Sequence, residues 1–293
     1  MKLAAIDIGS NAVRLQISHV ICTDPKPQFK TLEYIRFPLA LGQEVFKNQY
    51  ISDQDAQALR KLLQAFKLLI ELYQVDAYEI CATSAWREAK NKLAIKANLE
   101  AALGICINLI NGKQEAALVN KAIQASIKAA QYFHIDVGGG STELSFYKQQ
   151  KRIATCSFQL GSLRDNLSAT AQANWAAMKA WISTHKQPYK QELIGIATGS
   201  NIKKLAQLAK RNGKKELSLK RLIATEQHLA GYSLEERIEK LQLNTDRAAL
   251  ILPAAQIYLT ALHWAGIKHV LVPDLGLKDG IIQTLYEKQL SGN

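Results

Sequence analysis

One short pattern occurs twice in the chain, 129 residues apart. Residues 6–11, Ile-Asp-Ile-Gly-Ser-Asn, return at 135–140 as Ile-Asp-Val-Gly-Gly-Gly, and the same offset relates Leu15 to Leu144. In each copy an apolar run ends in an acid and small residues follow. In the next segment apolar residues stand at every second position, as they do in a strand with one face on a core. The pattern predicts two β-hairpins. It does not fit a dinucleotide-binding fold, in which a helix directly follows the glycine turn.

Strands and helices alternate along the rest of the sequence. Ser52 and Asp55 resemble a capping box ahead of leucines at helical spacing, which predicts a helix to about Tyr73. The other expected elements are strands at 78–83, 105–110 and 269–272, helices at 114–130 and 251–265, and a terminal helix after Gly280. This order predicts an α/β protein of two lobes with a cleft between them.

Composition narrows the function classes. The 293 residues, 48% hydrophobic and 21% charged, are typical of a globular protein of about two domains or of one large α/β unit. A net charge of +12 favours phosphate-rich partners. Nucleic acid is not expected, because the longest basic cluster, at 210–215, has no interleaved aromatic residues. No apolar run approaches the ~20 residues of a membrane span and no signal-peptide pattern is present, so we expect a cytoplasmic protein without a membrane partner.

The two glycine-containing turns are candidate phosphate sites. Backbone N–H groups in such turns can converge on an anion because no Cβ blocks the approach. The alternative is a tight hairpin that needs positive φ, which would explain one or two glycines. The candidate phosphate-binding residues are Ser10, Asn11, Gly138, Gly139, Gly140, Ser141 and Thr142.

Asp7 and Asp136 each close an apolar strand directly before a turn. A carboxylate beside a phosphate repels it unless a divalent cation lies between them, and hard oxygen ligands suit Mg²⁺. Glu143, seven residues after Asp136, could add a second oxygen. The sequence therefore predicts a magnesium site, although an acid at this position can also accept hydrogen bonds from its own turn.

Glu115 and Arg87 are the candidate catalytic residues. Glu115 lies where a predicted strand gives way to a helix, and helix-dipole stabilisation alone would favour an acid there. A carboxylate within reach of a phosphate can also orient and deprotonate an attacking water. Arg87 follows a predicted buried strand and is placed as a phosphate clamp would be, although a solvated arginine fits equally well.

Six segments, in order and spacing, carry a family resemblance: 7–11, 82–89, 112–116, 136–144, 160–164 and 274–280. Together they resemble the exopolyphosphatase and guanosine-pentaphosphate phosphohydrolase family, a branch of the actin, Hsp70 and sugar-kinase superfamily. The resemblance implies two ribonuclease-H-like lobes, at 1–121 and 122–279, with an active site in the interlobe cleft and a helix at about 280–293 that packs back on the first lobe. It also implies a homodimer that lacks the HD-type domain of longer relatives.

The resemblance also implies an activity and roles for the candidate residues. The activity is removal of terminal phosphate from polyphosphate or of the 5′ phosphate from guanosine pentaphosphate. Glu115 matches the catalytic carboxylate, Arg87 the phosphate-binding arginine, and Asp136 and Glu143 the acids on the magnesium side. Ser10 with Asn11 matches the first phosphate loop, and 138–142 the second.

Some positions depart from the family pattern. Gln114 replaces the first of two acids, and Ser200 and Asn201 alter a Gly-Thr-Gly-Gly-Thr stretch. Lys278 replaces an arginine, so the two-pronged hydrogen bonding of a guanidinium is lost there. These changes leave open a sensor that binds polyphosphate or an alarmone without turnover. A phosphotransferase of the same superfamily is a further alternative, although no adenine or sugar pattern stands out. A basic RNA-binding module is another alternative, and only the net positive charge supports it.

Overall fold

The computed structural model describes residues 1–21, 27–126, 131–149, 151–187, 189, 193–209 and 216–291. The basic cluster at 210–215 and the last residues of the helix expected at 114–130 lie outside these ranges. The chain forms two compact units. Unit 1 is Met1–Ala125 with Gly276–Asn293, and unit 2 is Ser126–Leu275.

Unit 1 is a five-stranded mixed sheet with helices. Its strands are β1 (Lys2–Ile8), β2 (Val13–Ile21), β3 (Gln28–Phe37), β4 (Ala77–Ala82) and β5 (Ile107–Leu109). Its helices are α1 (Gly42–Asn48), α2 (Asp53–Leu72), α3 (Ser84–Glu88), α4 (Lys92–Leu103), α5 (Gly112–Ser126, whose last residue falls in unit 2) and α11 (Leu277–Ser291). The strand order is β3-β2-β1-β4-β5, antiparallel across the first three strands and parallel across the last three.

Unit 2 repeats this topology. Its strands are β6 (Gln131–Val137), β7 (Thr142–Lys148), β8 (Lys151–Phe158), β9 (Ile194–Thr198), β10 (Glu216–Ser218) and β11 (His269–Leu271). Its helices are α6 (Ala169–Lys186), α7 (Ser200–Ala209), α8 (Leu219–Ala230), α9 (Leu234–Glu239) and α10 (Thr245–Ala265). The order β8-β7-β6-β9-β11 matches that of unit 1, and β10 is added at the edge. Two α/β units with this ribonuclease-H-like order confirm the predicted fold class.

The two predicted hairpins are confirmed, with the same local geometry in both units. Ile6 lies opposite Leu15 in unit 1, and Ile135 lies opposite Leu144 in unit 2. The Gly9 N–H donates to the carbonyl of Ala12 at 3.1 Å, and the Gly138 N–H donates to the carbonyl of Ser141 at 2.9 Å. The 129-residue offset therefore describes a structural repeat as well as a sequence repeat.

The helix predicted from Ser52 is confirmed. The Ser52 Oγ accepts the Asp55 N–H at 3.1 Å, which satisfies one of the donors that a helix start leaves unpaired. The helix buries Leu59, Leu63 and Phe66 in the core of unit 1.

The terminal helix begins earlier than the sequence predicts. α11 starts at Leu277, so Gly280 lies within the helix instead of before it. A Cβ at Gly280 would be 1.9 Å from the Leu118 carbonyl oxygen on α5, so the glycine allows two helices to approach closely. The prediction treated this glycine as a helix boundary, and the cause of the error is a contact between residues far apart in sequence.

α10 corrects the expectation that no apolar run reaches the length of a membrane span. It begins at Thr245, earlier than predicted. Among the described residues it is the one helix that is long and apolar enough, by length and composition alone, to cross a membrane. Half of its most apolar 18-residue stretch is buried inside the protein. Ile251, Ile257 and Leu262 are fully buried in the unit 2 core, and a core helix passes the same length and composition test.

Candidate active site

The first glycine turn is tied to two neighbouring segments of unit 1. The buried Ser10 hydroxyl accepts the Ala85 N–H at 3.1 Å, and the Ser10 carbonyl accepts the Gly42 N–H at 2.7 Å. The Asn11 carbonyl accepts the Ala40 N–H at 3.0 Å. These bonds fix the backbone of the predicted first phosphate loop.

Asp7 forms an ion pair with a residue that the sequence analysis did not single out. Asp7 lies opposite Arg14 across the β1–β2 hairpin, and the Arg14 Nη1 is 2.6 Å from the Asp7 Oδ2. The sequence contained the signal, because a four-residue turn after Ile8 places positions 7 and 14 side by side. The guanidinium supplies positive charge beside Asp7 from the chain itself, and metal binding by Asp7 stays a prediction.

The structure brings the two candidate catalytic residues together within unit 1. Arg87 on α3 directs its Nη1 to the Glu115 Oε2 at 2.9 Å, and the same nitrogen donates to the Ile110 carbonyl at 2.9 Å. The two side chains are 23% and 19% exposed, so both are accessible to a ligand. Glu115 lies in the first turn of α5, where the helix dipole favours its charged form.

Gln114 has a structural role at the start of α5. The Asn111 N–H donates to the Gln114 side-chain oxygen at 2.9 Å, and the Gln114 N–H donates to the Asn111 Oδ1 at 3.0 Å. This reciprocal arrangement has the geometry of a capping box, in which glutamine and glutamate serve equally well. The loss of the family's first acid is therefore compatible with an ordered helix start, next to Glu115.

The second glycine turn is held through its carbonyl groups. The Gly138 and Gly139 carbonyls accept the N–H groups of Ser162 and Leu163 at 3.1 and 2.8 Å, and the Gly140 carbonyl accepts the Arg164 Nε–H. In a trans peptide the C=O of one residue and the N–H of the next point in opposite directions. The N–H of each of residues 139–141 therefore points away from the donor that binds the preceding carbonyl.

This contact gives a structural role to the segment at 160–164, which resembles the family but has no role assigned from the sequence. A Cβ at Gly161 would lie 2.3 Å from the Gly139 carbonyl oxygen, whereas one at Gly138 would make an ordinary contact of 3.4 Å with the Ser141 carbonyl oxygen. Glycine at 161 is therefore required for the two loops to meet.

Gly161→Ala is expected to lower the free energy of unfolding by about 1–3 kcal/mol, the usual cost of forcing extra volume into a packed region. The matched control, Gly138→Ala, is expected to change it by less than about 1 kcal/mol, since its Cβ fits. Denaturant unfolding of both variants measures the difference. Equal stability of the two variants would contradict the close contact.

Thr142 and Ser141 have structural contacts of their own. The Thr142 hydroxyl donates its one proton to the Leu160 carbonyl at 2.8 Å, and the Ser141 carbonyl closes the turn. A hydroxyl that already donates can offer a phosphate only its lone pairs. Phosphate binding through the side chain of Thr142 stays a prediction. The observed hydrogen bond connects that side chain to the loop that contains Leu160.

Asp136 and Glu143 lie directly opposite each other on β6 and β7. Each is held by a hydroxyl from another strand: Thr198 donates to the Asp136 Oδ2 at 2.6 Å, and Ser157 donates to the Glu143 Oε1 at 2.9 Å. Two like charges directly opposite across a sheet repel each other. The arrangement fits a divalent cation, although the described residues contain no group of three or more His, Cys, Asp or Glu side chains that could hold a metal.

A buried polar cluster that the sequence did not predict lies behind Asp136. The Thr198 Oγ1 is 2.9 Å from the His134 Nε2, and burial lowers the pKa of His134 to about 3, so the imidazole is neutral. The Tyr258 hydroxyl accepts the Val137 N–H at 3.0 Å and donates to the Thr198 carbonyl, and burial raises its pKa well above the ordinary value. Gly199, at φ +115°, is required because a Cβ there would be 2.4 Å from the Tyr258 hydroxyl.

The remaining departures from the family pattern are also located. Ser200 and Asn201 begin α7, and Asn201 is buried. The Lys278 Nζ is 2.8 Å from the Asp279 Oδ2 and 5.5 Å from the centre of the Tyr34 ring. Lys278 is therefore held by an acid and an aromatic face in unit 1.

Two ribonuclease-H-like units, each opening with an acid and a small-residue turn, define a protein of the actin-like class. A comparison with models of protein families matches residues 20–289 to the Ppx/GppA phosphatase family. The chain belongs to this family. The resemblance stated from the sequence motifs is thereby confirmed, and so, at the level of the family, is the predicted class of enzyme, a phosphoanhydride hydrolase.

Individual relatives agree with this assignment. A bifunctional 3-dehydroquinate synthase/phosphatase from Fusobacterium nucleatum is 28% identical over 218 residues, a match that spans 66% of this chain but only 32% of that protein. Exopolyphosphatase 1 from Mycobacterium leprae is 21% identical over all of this chain and 91% of its own length. The crystal structure of an exopolyphosphatase from Cytophaga hutchinsonii, 19% identical, covers all of this chain and 98% of its own with a TM-score of 0.82, which shows the shared fold.

Proposed function

We propose that the protein is an exopolyphosphatase-type hydrolase, which releases the terminal phosphate of inorganic polyphosphate and, as a second substrate, the 5′ phosphate of guanosine pentaphosphate. The observation that carries the proposal is the Arg87–Glu115 pair at the start of α5. Two of the relatives described above are exopolyphosphatases by name, which supports the choice of substrate.

The Arg87–Glu115 pair has the chemistry that hydrolysis needs. An ionised carboxylate only accepts hydrogen bonds, so Glu115 can align a water by accepting a hydrogen bond from it, and can then take the proton that the water loses as it attacks. The water oxygen forms a bond to the terminal phosphorus, the bridging P–O bond breaks, and the shortened chain leaves with the electron pair. Both side-chain hydrogen bonds of Arg87 come from Nη1, and a guanidinium has five N–H donors, so Arg87 can also contact phosphate oxygens.

Unit 2 supplies features suited to a polyanion. It contains 20 Lys and Arg against 11 Asp and Glu, which leaves +9 of the chain's total of +12. Such an excess speeds the capture of a negatively charged chain. The backbone N–H groups of residues 139–141, in a turn whose glycines carry no Cβ, suit the binding of phosphate oxygens.

Mg²⁺ is part of the proposal, with Asp136 and Glu143 as its protein ligands. Magnesium keeps several waters and is usually bound through one or two carboxylates together with substrate phosphates, so two opposed acids are enough. When bound, it would neutralise negative charge on the phosphate. A homodimer in the cytoplasm completes the proposal and rests on the family resemblance.

A substrate panel tests the proposed function. Short polyphosphate, long polyphosphate, guanosine pentaphosphate and ATP are each incubated with the protein, with Mg²⁺ or with excess EDTA, and released phosphate is measured. We expect release from polyphosphate that EDTA reduces at least about 100-fold, the usual scale for a lost electrostatic contribution. Tight binding without release would support the sensor, and transfer of the terminal phosphoryl group to an added acceptor, without free phosphate, would support the phosphotransferase.

A further inference from the structure

The cluster behind Asp136 forms a hydrogen-bonded chain whose direction follows from the ionised state in which a carboxylate binds a cation. In that state Asp136 accepts hydrogen bonds and cannot donate one. Because the Thr198 hydroxyl has a single proton and is 2.6 Å from the Asp136 Oδ2, it donates that proton to the carboxylate. The His134 Nε2, 2.9 Å from the same hydroxyl, then has to be the donor, so His134 is in the Nε2–H form.

The surroundings hold this chain in place. His134, two residues before Asp136 on β6, is 1% exposed, and Thr198 at the end of β9 is fully buried. Tyr258 ties the backbones of β6 and β9 together through Val137 and Thr198, and Gly199 lets it approach. The orientation of the Asp136 carboxylate is therefore fixed by groups that are themselves packed and hydrogen-bonded.

We propose that Thr198 and His134 are positioning residues for the Asp136 carboxylate: the imidazole orients the threonine hydroxyl, and the hydroxyl fixes the carboxylate oxygen for a divalent cation. The inference rests on the proposed function for the metal site at Asp136 and for the role of that cation in turnover. Residues that orient a ligand in this way typically change metal affinity by about 10–100-fold when they are removed.

Threonine variants test the proposal by metal affinity. Mn²⁺ and Mg²⁺ binding to the whole protein is measured by calorimetry for the parent, Thr198→Val and Thr198→Ser. We expect the valine to weaken binding at least about tenfold, and the serine, which keeps the hydroxyl, to stay within about threefold. The matched control is Ser145→Ala, which removes a buried hydroxyl from the neighbouring strand whose hydrogen bond goes to Thr155. It should bind metal as the parent does.

Stability is separated from positioning by a double variant. Thr198→Val alone leaves the buried His134 N–H without its acceptor, whereas replacing both groups with apolar side chains removes that cost. His134→Leu combined with Thr198→Val should therefore recover much of the stability lost in Thr198→Val and still bind metal at least about tenfold more weakly than the parent. His134→Gln, which keeps a donor, should stay closer to the parent in metal affinity than His134→Leu.

A spectroscopic measurement needs neither metal nor turnover. Long-range ¹H–¹⁵N correlation spectra, with His134 assigned by its absence from His134→Gln, should show the Nε2–H form of a neutral ring. An Nδ1–H form, or Thr198→Val binding metal as tightly as the parent, or a parent that binds neither metal, would overturn the proposal. A parent that binds metal but releases no phosphate would overturn only the proposed function.

Phosphate kinetics add a further distinction. At saturating metal, Thr198→Val should lower kcat for polyphosphate more than it changes KM, because the altered group acts on the carboxylate and not on chain binding. A loss confined to KM would contradict the assigned role.

Discussion

Glu115→Gln is expected to fold as the parent does and to release phosphate from polyphosphate about 10²–10⁴-fold more slowly, the range typical of a removed general base. The glutamine oxygen can still accept from Arg87, but a neutral amide cannot take a proton from water. The partly exposed pair contributes little to stability, so the free energy of unfolding should change by less than about 1 kcal/mol.

The neighbouring position provides the matched control for Glu115→Gln. Gln114→Glu restores the acid found in the family pattern and keeps the oxygen that caps the Asn111 N–H. We expect its kcat to stay within about threefold of the parent, since either side chain completes a capping box. Phosphate release by Glu115→Gln within threefold of the parent would remove Glu115 from the mechanism.

Asp136→Asn is expected to lower kcat about 10²–10³-fold, the scale for loss of one preorganised electrostatic group. The amide oxygen can still accept from the Thr198 hydroxyl, so the hydrogen-bonded chain through His134 is kept while the charge is lost. Metal affinity should fall at least about tenfold in the same variant. Phosphate release across a titration of Mg²⁺ and calorimetric metal binding measure the two effects.

The control for Asp136→Asn is Glu239→Gln, which removes one negative charge from an exposed position of unit 2. It should leave kcat and metal affinity within about twofold of the parent, because exposed charges are screened. If Asp136→Asn kept both the metal affinity and the kcat of the parent, the magnesium site would have to be placed elsewhere.

The parts of the fold that were predicted from the sequence depend on local pattern. The hairpins were predicted because residues of alternating polarity flank a small-residue turn, and the start of α2 because Ser52 caps it. The start of α11 was missed because Gly280 is required by a contact with Leu118, which is 162 residues away along the chain. A glycine required by packing has the same sequence signal as one that ends a helix.

In the candidate site, too, local sequence pattern was predictive and contacts between distant residues were not. The sequence singled out Asp136 because it lies near the end of a predicted strand, just ahead of three glycines. Its partner Thr198 lies 62 residues later, and His134 belongs to no motif. Their association is created by the parallel pairing of β6 with β9, which brings Asp136 opposite Thr198. Arg14 was predictable in principle, because the hairpin register alone places it opposite Asp7.

The most direct test of the hydrolase assignment uses polyphosphate and Mg²⁺ in water enriched in ¹⁸O, with no nucleotide or other acceptor. Phosphate released by direct attack of water should carry one ¹⁸O atom per molecule, detected by mass spectrometry, and Glu115→Gln should slow its formation. Absence of labelled phosphate, or turnover of polyphosphate only when an acceptor is added and itself becomes phosphorylated, would contradict the assignment.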